Sequence, residues 1–293
     1  MQIISKGLTF TYNRKTDFKK HALNGVDLTI NEGEFFGIVG ETGSGKSTFI
    51  QHLNGLIFVE GGELTVGDFN LAVKDKKEKK ALKKRLKELR YKVGMVFQYP
   101  EYQLFAETVK EDVAFALKNF HPEMSEEERA ERVRKAIETV GLDYEQIKNK
   151  SPFELSGGQK RRVAIAGILV SEPEILVLDE PVAGLDPVGK KRLMALLHTL
   201  HDMKIVKTII IVSHDMDEIS ENVSRVALFS GGKAVKVCTP KELFLSDHPA
   251  VKRLGLPVTA FASKKLSERG VEIDSNFKVN DFIEKVTEKY KNL

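Results

Sequence analysis

An α/β fold, with a parallel sheet covered by helices on both faces, is predicted by three features of this 293-residue chain. The apolar run EFFGIVG, Glu34 to Gly40, enters the glycine-rich loop GETGSGKST, Gly40 to Thr48, which leads into KSTFIQHLNGL at helical spacing. Strand, loop and helix thus follow in the order a phosphate loop needs. Further on, EILVL, a helix from Pro187 to about Met203, TIIIV and a helix from Asp215 alternate strand with helix, the pattern of a parallel sheet with both faces buried. Ligands in such sheets collect at the carboxyl ends of strands. Gly40, Asp179 and His214 all fall there.

The remaining elements follow in order. Ile3 to Ile30 alternates apolar and polar residues around turn signals at Asn13 and Asn24-Gly25, which predicts an antiparallel strand region. Gly61-Gly62 and Gly67-Asp68 bracket a short strand, ELTV. KDKKEKKALKKRLKELRYK, Lys74 to Lys92, places Ala81, Leu82, Leu86 and Leu89 at helical spacing, so it reads as an amphipathic helix with one apolar seam. VGMVFQ, Val93 to Gln98, is a buried strand, and Thr108 to Val140 a largely helical region. Within that region Ser125 and Glu128 make a capping box for a helix from Glu126 to about Val140. After Gly231-Gly232 the periodicity weakens into a small, mainly helical tail of about sixty residues.

Composition narrows the classes. The longest apolar stretches, such as VAIAGILV, Val163 to Val170, are far short of the roughly 20 residues a bilayer span needs. The start, MQIISKGLTF, lacks an export signal, so a cytosolic chain is expected. A lone Cys238 excludes an internal disulfide and reads as a small apolar filler. The net charge of +4 conceals an uneven distribution: Lys74 to Lys92 holds eleven basic residues against three acids. That face is open to three readings: plain solvation, attraction to anionic lipid headgroups at about 1 kcal/mol per basic side chain, or nucleic acid.

The chemistry-bearing residues cluster in motifs. GETGSGKST fits the phosphate-loop pattern, which alone would arise by accident in roughly one chain in a hundred of this length. Its glycines let successive N–H groups of Gly40, Glu41, Thr42, Gly43, Ser44, Gly45, Lys46, Ser47 and Thr48 face phosphate oxygens. Lys46 would bridge the β- and γ-phosphates of ATP, and Ser47 would give its hydroxyl to Mg²⁺. Asp179 leaves a buried strand, is costly there without a cation, and should hold Mg²⁺ through water. Glu180 follows it and could deprotonate an attacking water.

ELSGGQKRR, Glu154 to Arg162, lies between the phosphate loop and EILVLDEP, Glu174 to Pro181, with His214 after KTIIIVS. In this order the set resembles the ABC ATPase family. The resemblance implies a catalytic group of Glu180, His214, Lys46 and Gln98, and a metal set of Ser47, Gln98 and Asp179. It implies that Tyr12 stacks on adenine, with Phe10 on the same face as its competitor. It further implies that Ser156, Gly157, Gly158 and Gln159 receive the γ-phosphate held by a facing subunit, with Gly184, Leu185 and Asp186 crossing that interface. Residues 1–232 would form the ATPase domain, with a helical subdomain at about 100–170, and residues 233–293 an accessory, dimerising domain.

No long coiled coil and no second cassette is present, so a transporter motor is the better reading than a repair or translation ATPase. FQYPEYQLFAETVKEDVAFALKNF, Phe97 to Phe120, resembles the ATPases of energy-coupling factor (ECF) importers for vitamins and metals, most closely the second ATPase of the pair. There Tyr102, Leu104 and Phe105 would line a groove for a membrane subunit. The implied partners are a related cassette, an integral membrane coupling subunit and a substrate-binding membrane subunit, with no nucleic acid, at the cytoplasmic face of the cell membrane. A homodimeric cobalt or nickel importer ATPase and a soluble ABC regulator are the alternatives. Val182, where the family usually has threonine, and Gly167, where many cassettes have arginine, depart from the pattern.

Overall fold

The computed structural model describes residues 1–73 and 75–291. Its strands and helices in chain order are β1 (Ile3–Tyr12), β2 (Lys20–Ile30), β3 (Phe35–Gly40), α1 (Lys46–Leu53), β4 (Gly61–Val66), β5 (Phe69–Asn70), α2 (Lys76–Lys92) and β6 (Val93–Val96). A helical region follows: α3 (Val109–Phe120), α4 (Glu126–Thr139), α5 (Tyr144–Ile147) and α6 (Gly157–Leu169). Then come β7 (Ile175–Asp179), α7 (Pro187–Asp202), β8 (Thr208–Val212), α8 (Met216–Asn222), β9 (Arg225–Ser230) and β10 (Lys233–Cys238). The tail holds α9 (Pro240–Phe244), α10 (Pro249–Leu254), α11 (Val258–Ser267) and α12 (Val279–Lys291).

Two sheets organise these elements. One has the order β10-β9-β3-β8-β7-β6, with every pair parallel except the β9–β10 hairpin. The other is antiparallel, β2-β1-β4-β5. Successive residues of a strand face opposite ways, and the central strands divide their side chains between two cores accordingly. Phe36, Ile38, Ile210, Val212, Ile175 and Val177 meet the antiparallel sheet, α1 and α2. Phe35, Val39, Ile209, Ile211, Leu176 and Leu178 meet the helical region and α7. Both faces are covered, which explains the unbroken apolar runs of β3, β7 and β8.

Several expectations are corrected. Asn24-Gly25 is not a turn but a bulge inside β2, where the register with β1 shifts between Leu8↔Val26 and Thr9↔Asn24. Gly25 takes φ 86° there, a conformation glycine adopts without strain, and Asn24 donates to the carbonyls of Gly231 and Gly232. The buried seam of α2 is Leu82, Leu86 and Leu89, whereas Ala81 is exposed; about 100° per residue turns it off the leucine line. Lys74, the expected start of that helix, lies outside the described residues. In α4, Ser125 caps the Glu128 N–H, but the Glu128 carboxylate pairs with Arg132 instead of closing the box. Strand β6 stops at Val96, two residues before Gln98.

The tail joins the cassette more closely than its weak periodicity suggests. The boundary expected at 232/233 falls inside the β9–β10 hairpin, so the chain after Gly232 still belongs to the six-stranded sheet for one strand. Leu243, Phe244, Ala250, Val251, Ala260 and Phe277 are buried in the same core as Val226 and Leu228. Backbone amides of Val258 and Val279 donate to Asp217 and Glu221 on α8.

Candidate nucleotide site

The phosphate loop links β3 to α1, and two of its glycines, Gly40 and Gly45, are placed where side chains would not fit. A Cβ on Gly40 (φ 152°) would come within 2.3 Å of the Phe229 carbonyl, and one on Gly45 (φ 105°) within 2.6 Å of the Ala22 carbonyl. The loop therefore lies against β2 and β9. Within the loop Ser44 is buried, and among the described residues its hydroxyl has no partner. The Lys46 ammonium is held by the carbonyls of Gly40 and Glu41, at 2.5 and 3.0 Å.

Around this loop lies a cleft of about 400 Å³ lined by Tyr12, Lys20, Ala22, Thr42, Gly43, Gly45, Lys46, Ser47, Thr48, Gln98, Asp179, Glu180 and His214. Of the phosphate-loop residues, Gly40, Glu41 and Ser44 are the three that do not line it. Gly40 supplies a carbonyl, Ser44 fills the base, and Glu41 turns outward to pair with Arg253 of the tail at 2.5 Å. Tyr12 and Phe10, which the sequence could not separate, have different places. Tyr12 lines the cleft with its hydroxyl 3.2 Å from Thr48 Oγ1, while Phe10 packs edge-on between Tyr12 and the buried His52.

Charge in the cleft is poorly compensated. Burial pulls the Lys46 pKa down, against the carboxylates of Glu180 and Asp179, which raise it. Burial pushes Asp179 up, against the Ser47 hydroxyl and Lys46. Glu180 is likewise raised by burial, although His214 Nδ1 stands 2.6 Å from its Oε2 and draws it down. Each group is thus biased toward its neutral form, the state expected of a site built to receive both an anion and a cation. Glu180 also has φ 51°, a conformation that costs a non-glycine residue on the order of 1–3 kcal/mol. Its N–H bonds to the Val212 carbonyl at 2.9 Å and its carbonyl accepts from Ala183 at 3.1 Å, which fixes the residue at the carboxyl end of the sheet.

The signature residues lie elsewhere. Ser156 caps α6 reciprocally with Gln159, leaving Ser156, Gly157 and Gly158 on the wall of a second hollow of about 860 Å³, shared with Tyr99, Tyr102, Gly184, Leu185 and Asp186. Gln159 serves its own helix cap. The structure therefore divides the expected site residues between two clefts of one chain.

A link between them escaped the sequence reading. Arg161 is buried, grips both carboxylate oxygens of Glu101 at 3.0 and 3.1 Å, and donates to the carbonyls of Pro181 and Ala183 at 3.0 Å. It ties the signature helix to the segment after Gln98 and to the loop after Glu180. Its only sequence signal is its place in KRR, where nothing distinguishes it from Arg162. Of the groove candidates, Tyr102 and Phe105 are exposed, but Leu104 is buried core. Phe115, not foreseen, is exposed and packs edge-on against Phe105 at 4.8 Å.

Comparison with known proteins accords with this geometry. A family model described as ABC transporter matches residues 23–183. The energy-coupling factor transporter ATP-binding protein EcfA2 of Clostridium tetani is 44% identical over 94% of this chain and 92% of its own length. The protein of the same name from Clostridioides difficile is 46% identical over 94% and 93%. This chain belongs to the energy-coupling factor ATP-binding family of ABC transporters. Among solved structures, cbiO1 of Clostridium perfringens, part of the ABC transporter complex cbiONQ, superposes with TM-score 0.72 and 34% identity over 92% of this chain and 96% of that one. The cassette MJ0796, dimeric and bound to ADP and Pi, gives 0.69 and 32% over 81% and 98%. The cassette is an ATP-binding ATPase of an ECF-type importer, and none of its described helices is long and apolar enough to cross a membrane.

Proposed function

We propose that the phosphate-loop cleft binds ATP with Mg²⁺ and that Glu180 is the general base of hydrolysis. The observation that carries this reading is the Glu180–His214 pair beside Lys46 and Asp179 at the ends of β7 and β8. In it, Tyr12 offers a ring to the adenine. Loop amides and Lys46 take the β- and γ-phosphates, the ammonium exchanging its carbonyl partners for phosphate oxygens.

The residues fit a magnesium ion. Ser47 is hydrogen-bonded to Asp179, and Gln98 opens on the same cleft. This is a sparse oxygen set with one carboxylate, suited to an ion that keeps several waters and leans on substrate phosphates. Among the described residues no cluster of three acids, histidines or cysteines competes for a metal. Bound there, the ion would neutralise charge on the phosphate oxygens. Glu180, made more basic by burial, takes the proton of the attacking water, while His214 orients its carboxylate and meets the γ-phosphate.

Ser156, Gly157 and Gly158 would receive the γ-phosphate bound by a facing cassette, so two ATP molecules hold a head-to-tail pair together. Residues 233–293 support that pair. A related cassette as mate, an integral membrane subunit seated against Tyr102, Phe105 and Phe115, and a separate substrate-binding membrane subunit complete the importer of a vitamin or other micronutrient. The chain then works as a peripheral protein at the cytoplasmic face. Affinity purification from the native host with mass spectrometry tests this. Recovery with a related cassette and an integral membrane protein is expected; recovery of this ATPase alone, or with copies of itself only, overturns the heteromeric reading.

A further inference from the structure

We propose that the lysine face of α2 docks on the anionic headgroups of a lipid bilayer. This rests on the reading that the chain works beside an integral membrane subunit, and it adds a direct contact between the cassette and the lipid surface.

The helix sorts its basic residues by position. Lys76, Lys80, Lys83 and Lys87 are spaced four, three and four apart and form one stripe, with Lys77 and Lys84 beside it. At about 100° per residue this stripe lies opposite the buried seam of Leu82, Leu86 and Leu89. The other cations of the helix are occupied. Arg85 lies over the Phe69 ring at 4.4 Å, Lys79 over Phe58 at 4.8 Å, Arg90 donates to the carbonyls of Asn54 and Gly55, and Lys92 stands near Glu88 and Glu174. The six stripe lysines are all exposed and, among the described residues, none is ion-paired. Lys87 lies close enough to the exposed Glu123 to act on its charge.

Six like charges on 17 residues of rigid helix repel one another. A dense anionic plane relieves that repulsion. Lysine, a strongly hydrated point charge, suits a disordered headgroup layer better than a fork-shaped bidentate partner. The leucines are spent in the core, so the face has nothing to insert and attraction would be purely electrostatic. Nucleic acid fits less well, because the stripe carries no aromatic free to stack on bases. Tyr91, the ring at its end, is packed against Phe120 and His121.

That packing also sets direction. It places the end of α2 beside Phe120 at the end of α3, whose middle carries the exposed Phe115 against Phe105. Phe115 and Phe120 lie about 7.5 Å apart along the helix axis. The lysine stripe therefore runs out from the flank of the aromatic patch assigned to the membrane subunit.

The test is co-sedimentation of the purified full chain with vesicles of phosphatidylcholine alone or with one-third phosphatidylglycerol. Binding to the anionic vesicles only, lost in half-molar salt, is expected. Lys76→Gln, Lys80→Gln and Lys83→Gln together should weaken it about a hundredfold, roughly fivefold per lysine, while the same three changed to arginine retain it. ATP binding serves as the check that each variant is folded. Equal pelleting with neutral vesicles, undiminished binding by the glutamine variant, or capture by duplex DNA in preference to vesicles would overturn the proposal. Because the vesicles contain no protein, failure here strikes the lysine face alone. Failure to co-purify a membrane subunit strikes the motor reading.

Discussion

The two hollows of this cassette are built from opposite materials. The phosphate-loop cleft holds an ammonium, two carboxyls and an imidazole, three of them displaced toward neutrality by burial. The signature hollow is about twice as large and presents the start of a 13-residue helix whose serine and glycines carry no charge. The first has what acid–base chemistry needs; the second has what receives an anion without reacting with it. The reactive groups and the signature helix start stand in separate clefts of one chain, the division that the proposed facing subunit would bridge.

Changing the reactive half should have the largest effect. Glu180→Gln keeps the shape and the hydrogen bond from His214 but removes the base, so turnover in the purified complex should fall by about 10²–10⁴. ATP binding should persist, because the proposed site leaves phosphate recognition to the loop and Lys46. Steady-state ATPase rates beside nucleotide titration check this, and turnover within a few-fold of wild type would remove Glu180 from its role.

The link between the halves comes next. Arg161→Met leaves the Glu101 carboxylate, largely sheltered, without its guanidinium and frees the carbonyls of Pro181 and Ala183. Breaking such a pair should cost about 3 kcal/mol of stability. Denaturant unfolding of Arg161→Met, Glu101→Gln and the double variant measures the coupling. If the double variant is destabilised by the sum of the single changes, Arg161 does not tie the two hollows together through Glu101.

How much of this was legible depends on range. The phosphate loop, Asp179 and Glu180 were readable because their motifs are contiguous and end buried strands, where a polar residue stands out. The two-faced core was foreshadowed by apolar runs without alternation. Arg161 was not legible, because its partners lie 60 positions upstream and about 20 downstream. Nor was the attachment of the tail, whose contacts are a strand added at an edge, scattered apolar residues, and backbone amides capped by acids of α8. Asn24-Gly25 misled for a related reason: the pair is a local turn signal, but pairing to β1 and the carbonyls of Gly231 and Gly232 kept it in a strand. Leu104 and Phe105 show the same limit at single-residue scale, since adjacent apolar residues can be assigned to core and surface only once the helices are packed.

The smallest effect concerns the helix that follows His214. Glu218 is buried on α8, accepts a 2.7 Å hydrogen bond from the Ser213 hydroxyl, and is pushed up to about 7 by burial. A carboxyl whose pKa is raised on folding keeps its proton in the folded chain over a range where the unfolded chain has lost it. Its contribution is therefore fully present below the ordinary carboxylate pKa and is lost as pH rises through about 7. Glu218→Gln preserves an acceptor for Ser213 without the ionisation, so it should gain on wild type by roughly 1–2 kcal/mol between pH 5 and pH 8. Urea unfolding of both proteins at the two pH values measures that difference directly, and Asp179 and Glu180, raised in the same direction, cancel in the comparison. A gap between the two proteins that stays constant from pH 5 to pH 8 would mean that Glu218 does not hold its proton beside Ser213.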